Sequence, residues 1–339
     1  MENILVVFTG GTVGSKVTDG IVNTSSDSRF KLLDLFQTRY GQERQIHFKS
    51  CQPVQILSEN LFPSVWEQII RTIEAEHPEH YAGVIVTHGT DTLAYTAAAL
   101  SYYFHRLKTP VLMVSSDYPL DDPRANGLAN FNCAVEFILQ MGHAGVYVPY
   151  RNQQQLTQLH RGTRLASSLQ LGGDFISVQF KNHMQFENHR FQVLDSTISK
   201  RERSDQPALK PAFSSRVLMI RPYPGLDYSR FNLEGVDAVC HDLYHSGTAC
   251  TSMQWGENHS LIAFLTRCKK RRVKVYLAPA IKSESAYQST RELLDAGAEM
   301  IWNMSLEAAY VKLLLGYGNF DDDKVIMDFI NSDLAWEHV

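Results

Sequence analysis

Three short apolar runs, each followed by a small-residue turn and then a helical pattern, constrain this chain more than any other feature. Ile4-Leu5-Val6-Val7-Phe8, Gly83-Val84-Ile85-Val86-Thr87 and Pro110-Val111-Leu112-Met113-Val114 are β-rich and continuous, as expected of strands buried on both faces. Between the first two, Trp66, Ile69, Ile70 and Ile73 recur at helical spacing with Glu67, Arg71, Glu74 and Glu76 among them, which predicts an amphipathic helix. Thr92 to Leu107 reads as an Ala-rich helix, and Asn126 as the cap of a helix running through Phe137. Strands alternating with helices in this way predict βαβ units and a parallel, doubly wound α/β sheet.

The alternation stops at Lys200-Arg201-Glu202-Arg203-Ser204-Asp205, Pro207 and Pro211, which carry no apolar periodicity, and restarts beyond. Val217 to Ile220, Val236 to Val239 and Val273 to Leu277 predict further strands, with helices at Ser285 to Asp295 and Ser305 to Leu315. A chain of 339 residues is long enough for a single core to give way to two. The expected organisation is a larger N-terminal domain over residues 1–200, a linker at 201–216 and a smaller C-terminal α/β domain at 217–339.

Charge and cysteine content remove several function classes. The formal net charge is -4 and the pI near 6.3, so no basic surface predicts a nucleic-acid partner. The one basic run, Lys269-Lys270-Arg271-Arg272, follows an apolar helical stretch, where cations at a helix C-terminus are the ordinary structural reading. Five cysteines, never spaced C-x-x-C, argue against a disulfide framework or a zinc site and for a reducing compartment. The N-terminus runs straight into a strand pattern, and no segment has the length of a membrane span. The expectation is a cytoplasmic protein with no membrane partner.

In open parallel sheets, ligands bind beyond the carboxyl ends of the strands, so the turns there carry the chemistry. They read Thr9-Gly10-Gly11-Thr12-Val13-Gly14, His88-Gly89-Thr90-Asp91-Thr92 and Ser115-Ser116-Asp117. The first is neither a P-loop, because Ser15-Lys16 reverses the required order, nor a dinucleotide fingerprint, because its glycines are spaced differently. It reads as a close-approach turn ending in a reactive hydroxyl, or as a plain tight turn. Thr90-Asp91 sets a hydroxyl beside a carboxylate at a helix start. Asp91 reads there as a helix cap or as part of an anion- or substrate-binding end. His88 reads as a structural histidine before a general base. His77-Pro78-Glu79-His80 reads as surface, and His241 with His245 is a weak metal pair in a strand-to-loop segment.

With both threonine turns in view, the chain resembles the bacterial-type L-asparaginase family, most closely its cytoplasmic type I branch. Ser58-Glu59 before Val65-Trp66, the stretch Pro110 to Asn132, Leu159-His160-Arg161-Gly162 and Ala296-Gly297-Ala298 extend the similarity over nearly the whole chain. The resemblance implies a two-domain asparaginase-like fold and a threonine amidohydrolase without a cofactor or metal. Thr12 would attack a side-chain amide and form an acyl-enzyme that water hydrolyses, releasing ammonia. Thr90 and Asp91 would match the second catalytic threonine and its aspartate, the latter also holding a substrate α-amino group. Ser58, with Glu59 beside it, would bind the α-carboxylate, and Gly11, Gly89 and Ser116 would line the substrate. The implied partner is a small amino-acid amide, L-asparagine first. The implied assembly is a homodimer or homotetramer in which the C-terminal domain of one subunit closes its neighbour's site.

Two family residues are replaced. The tyrosine expected after the first turn falls on Ile21, and the lysine expected after the Arg-Gly segment falls on Ser167. Neither replacement moves a proton as the original would, and Arg161 and Arg164 cannot titrate in its place. The substitutes within reach by sequence are Ser167, Ser168, His245 in Tyr244-His245-Ser246-Gly247-Thr248, and Tyr40. Since a general acid or base contributes about a hundred- to ten-thousand-fold, three readings stand: an amidohydrolase, a divergent member with an altered substrate or acyl transfer, and a silent amino-acid-binding protein.

Overall fold

The computed structural model describes residues 2–11, 15–18, 21–24, 28–41, 45–166, 171–195 and 208–339, with the side chains of 15–18, 21–24 and 28–30 left aside. The chain forms two compact units, Met1–Pro211 with Leu334–Trp336, and Ala212–Asp333 with Glu337–Val339. Residues 201–207 of the expected linker lie outside the described residues; in its second half, Leu209 and Phe213 are buried.

The first unit runs β1 (Glu2–Phe8), β2 (Ser15–Thr18), β3 (Ile21–Thr24), α1 (Ser28–Tyr40), β4 (Ile46–Cys51), α2 (Pro63–Ala75), β5 (Gly83–Thr87), α3 (Leu93–Tyr103), β6 (Val111–Val114), α4 (Gly127–Gln140), β7 (Val146–Arg151), β8 (Thr157–Arg161), β9 (Met184–Glu187) and β10 (Arg190–Val193). Its main sheet has the order β10-β9-β8-β7-β6-β5-β1-β4. From β4 to β7 the strands are parallel; β7 to β10 pair antiparallel. The sheet is therefore mixed rather than wholly parallel. Strands β9 and β10 are joined by the short turn at Asn188-His189, and antiparallel neighbours need no crossover helix. Strands β1, β5 and β6 are buried throughout except at the first two residues of β1, because helices cover both faces of a doubly wound sheet.

The helices obey their patterns with two local departures. Helix α2 buries Val65, Trp66, Ile69, Ile70 and Ile73 on one stripe. Helix α3 ends at Tyr103, short of Leu107: Phe104 N–H closes on Leu100 O, and Leu107 N–H then bonds Phe104 O in a separate turn. Asn126 does precede α4, but its side chain makes no capping bond. Its Oδ1 accepts from Asp117 N–H, and its Nδ2 donates to Arg151 O at 2.9 Å, tying the ends of β6 and β7 together.

The parallel strands, counted along the chain, are β1, β4, β5, β6 and β7, and in space they lie β4-β1-β5-β6-β7. The order reverses between β1 and β5, and that switch point is where such sheets open a ligand crevice. The glycine turn after β1 and the His88 turn after β5 are the two walls of this point.

The second unit contains β11 (Val217–Ile220), β12 (Ala238–His241), α5 (Leu261–Lys270), β13 (Lys274–Ala280), α6 (Gln288–Asp295), β14 (Glu299–Trp302), α7 (Leu306–Asn319) and α8 (Asp323–Asn331). Its parallel sheet runs β11-β12-β13-β14 in chain order, so it has no reversal and no crevice of that kind. Arg267, Lys269 and Lys270 occupy the last turn of α5, where they meet the carbonyl end of the helix dipole. Ser305 caps α7 and Asp322 caps α8. Lys312 is fully buried against Glu337 at 2.5 Å, and its ammonium also donates to the carbonyls of Ile330 and Ser332. A charge buried this way needs every proton matched. Among the described residues no helix is long and apolar enough to cross a membrane.

Candidate active site

The crevice is built by backbone first. Thr9 Oγ1 donates to Thr87 O at 2.6 Å, joining the ends of β1 and β5. Ile56 N–H bonds Thr9 O, and Gly11 N–H bonds Ile56 O, which draws the segment before Ser58 against the first turn. Gly10 and Gly11 adopt φ of 104° and 73°, open to glycine and strained for other residues. A Cβ on Gly11 would lie 2.7 Å from Gly89 Cα, and one on Gly89 would lie 2.7 Å from Ser58 Cβ. The two turns and Ser58 thus touch only because both positions lack side chains. Gly11→Ala is expected to destabilise the protein by about 3 kcal/mol or more through strain and backbone clash. Urea denaturation measures this, and wild-type stability would mean that the turns do not meet.

Asp91 does not cap helix α3. The N-cap position is Thr92, whose side chain makes no capping bond and instead donates to Ser58 O at 3.0 Å. Asp91 turns back to Ser58: the hydroxyl donates to Oδ2 at 2.7 Å and accepts from Asp91 N–H at 3.3 Å. Ser58 is buried, whereas Asp91 is exposed, so the carboxylate presents its remaining lone pairs outward. The start of α3 lies beside it, where the positive end of the helix dipole favours an anion.

His88 is sealed beneath this surface at 1% exposure. Its Nδ1 lies 2.7 Å from Gly89 O and its Nε2 2.9 Å from Thr96 Oγ1. Trp66 Nε1 donates to the same Thr96 hydroxyl at 2.9 Å. Burial drives the imidazole pKa down to about 4, so it is neutral and fully engaged. It is not a base for the crevice.

The structure brings together Gly11, Ser58, Gly89, Thr90 and Asp91. Glu59 is exposed in the 3-10 turn Ser58–Asn60. Ser116 is fully buried, and its hydroxyl donates to Tyr118 O while accepting from Gly127 N–H. It holds a loop and presents nothing to a ligand. His245 lies in the second unit, exposed in the turn closed by Tyr244 N–H and Thr248 O. Tyr40 ends α1 and packs on Phe36. Thr12, Ser167 and Ser168 lie outside the described residues. Ile21 begins β3, opposite Thr18 of β2. Among the described residues, no lysine or histidine hydrogen-bonds the Thr90 hydroxyl, and none form a metal-binding group of three or more.

The Arg161-Gly162-Thr163-Arg164 segment has a structural task that its sequence does not announce. Thr163 Oγ1 donates to Ala335 O at 2.9 Å, Arg164 Nε donates to Trp336 O at 2.6 Å, and the Arg161 guanidinium lies 4.5 Å from the Trp336 ring centre. These buried residues clasp the tripeptide Leu334–Trp336, and nothing short-range in the sequence signals a pairing so distant.

Residues 3–199 match the family model for the asparaginase N-terminal region. The chain belongs to the asparaginase family. It is also similar along its length to a glutamyl-tRNA(Gln) amidotransferase subunit of Methanobrevibacter smithii, 27% identical over 99% of this chain and 77% of that one. The corresponding amidotransferase subunit of Aeropyrum pernix is 28% identical over 99% and 79%. Among solved structures, the thermostable L-asparaginase of Thermococcus kodakarensis superposes with a TM-score of 0.81 at 24% identity, covering 99% of both chains. L-asparaginase I of Vibrio cholerae gives 0.81 at 24%, covering 100% of this chain and 99% of that one. These likenesses establish the asparaginase fold, and the family makes the chain an amidohydrolase-type enzyme. As an asparaginase relative it is divergent, with Ile21 and Ser167 where the family resemblance leads one to expect tyrosine and lysine.

Proposed function

We propose that this chain hydrolyses the side-chain amide of a small free amino acid, L-asparagine first, with Thr12 as nucleophile and release of ammonia. The observation that carries this reading is the Ser58–Asp91 pair set over the joined glycine turns at the switch point. An outward carboxylate suits an α-ammonium group, and the positive end of the α3 dipole beside it suits an α-carboxylate. Thr12 and Thr90 follow the two walls in sequence, one for attack and one for proton traffic. The chemistry as proposed needs no cofactor. A homo-oligomer that brings the His245 turn to a neighbour's crevice, in a cytoplasmic protein, completes the reading.

A second reading is supported by the surroundings of Thr90, where no described lysine or histidine is hydrogen-bonded. It is a member with a displaced reaction or a silent amino-acid binder. The relatives named as amidotransferase subunits make glutamine a natural second amide to test. Ammonia release from asparagine, glutamine and other small amides, with a folded Thr12→Ala control, separates the readings. Equal rates from both proteins would sink the nucleophile assignment. Thermal stabilisation by aspartate with no product formed would select the silent binder.

A further inference from the structure

The buried chain from Trp66 to His88 runs in one direction only. The indole Nε1–H can only donate, so Thr96 Oγ1 accepts it at 2.9 Å. The hydroxyl has one proton, and His88 Nε2 lies 2.9 Å away to take it. The imidazole proton then sits on Nδ1, donating to Gly89 O at 2.7 Å. The opposite tautomer would press the Nδ1 lone pair against a carbonyl oxygen at that distance. Two more bonds hold the same turn: His88 N–H to Val114 O at 2.9 Å, and Ser115 Oγ to His88 O at 2.7 Å.

Gly89 is the residue that touches Gly11 and Ser58. Its peptide with Thr90 is planar and trans, so fixing the Gly89 carbonyl fixes the Thr90 N–H on the opposite side. We propose that Trp66, Thr96 and His88 act as a positioning relay, aiming the Gly89–Thr90 peptide and with it the Thr90 hydroxyl and Asp91 carboxylate. None of the three touches substrate. This role rests on the amidohydrolase reading, but the relay's geometry can be tested apart from it.

Thr96→Val keeps the shape and removes the hydroxyl; Thr96→Ser keeps the hydroxyl. For the amide that the wild-type protein hydrolyses, Thr96→Val is expected to lower kcat about tenfold or more, with KM changed less than about twofold, as befits a buried unpaired group acting on the chemical step. Thr96→Ser returns kcat to near wild type. Burial keeps the ring neutral in either protein; losing the hydroxyl that donates to Nε2 removes one further contact with the neutral form, so the acid limb of the kcat profile moves to higher pH. The one charge acting on the ring among the described residues, the Asp91 carboxylate, pushes the same way. Unchanged kcat and pH profile in Thr96→Val would overturn the relay. Should that variant fail to fold, Trp66→Phe, which removes the first donor while keeping an aromatic ring, carries the same kinetic test. If the wild-type chain releases ammonia from no amide, the amidohydrolase reading falls and nitrogen NMR of His88 in the full chain decides the relay. A locked Nδ1–H tautomer supports it, and a mixture or the Nε2–H tautomer overturns it.

Discussion

Asp91→Asn is expected to cut kcat/KM for an amide bearing a free α-amino group by roughly thirty- to several-thousand-fold. Removing one partner of a hydrogen-bonded charge pair costs about 2–5 kcal/mol once the ligand covers it. Asparagine at position 91 still accepts from the Ser58 hydroxyl, whose bond to Oδ2 measures 2.7 Å, so the wall of the crevice survives. What it loses is the charge that faces a substrate ammonium. The contrast that isolates this effect is succinamic acid, which is asparagine without its α-amino group. On that amide the wild-type and Asp91→Asn proteins should differ far less. An equal loss on both amides would mean that Asp91 serves the chemical step and not recognition of the amino group.

Acid should destabilise the two units unequally. Burial lowers the imidazole pKa of His88, His160 and His241 to about 4 and that of His183 to about 3. These rings stay neutral in the folded protein while the unfolded chain takes up protons near pH 6.5. Their contribution is complete above that value and is lost as pH falls from about 6.5 toward about 4. Each such histidine loses about 1 kcal/mol between pH 6.5 and 5.5. The first unit holds His88, His160 and His183, and the second holds His241. The first unit should therefore lose about 3 kcal/mol over that single pH unit, a large part of a net stability of roughly 5–15 kcal/mol, and the second about 1 kcal/mol. Hydrogen exchange at pH 7.5, 6.5 and 5.5 resolves the units. Equal protection at all three values, or earlier loss in the second unit, would contradict the assignment of these rings as buried and neutral.

The parallel core is legible in the sequence because burial on both faces leaves a mark that polar residues interrupt. Strands β1, β5 and β6 sit on the runs that read as strands, and the turns after β1 and β5 form the two walls of the switch point. The antiparallel edge is not legible. Strand β8 is Thr157–Arg161, fully buried yet rich in polar residues, so it shows neither alternation nor an apolar run. Asp91 reads as a helix cap because capping is local; its partner Ser58 lies 33 residues away, and only the fold brings them together. The hydroxyl of Thr96 leaves one faint sign, a polar position among the alanines of helix α3. Arg161 and Arg164 invite a catalytic comparison because they stand just before Ser167, but their task is to hold the tripeptide ending at Trp336.

That clasp has a consequence for how the protein is made. Arg164 and Trp336 are separated by 172 residues, which a ribosome adds in on the order of ten to thirty seconds. Throughout that interval, two arginines destined for burial have no tripeptide to close over them. Glu337, the very next residue, completes the ion pair with Lys312. The nascent first unit therefore cannot finish its interior ahead of the second. Residues 334–337 close both, so the order of translation delays the native state of the part made first.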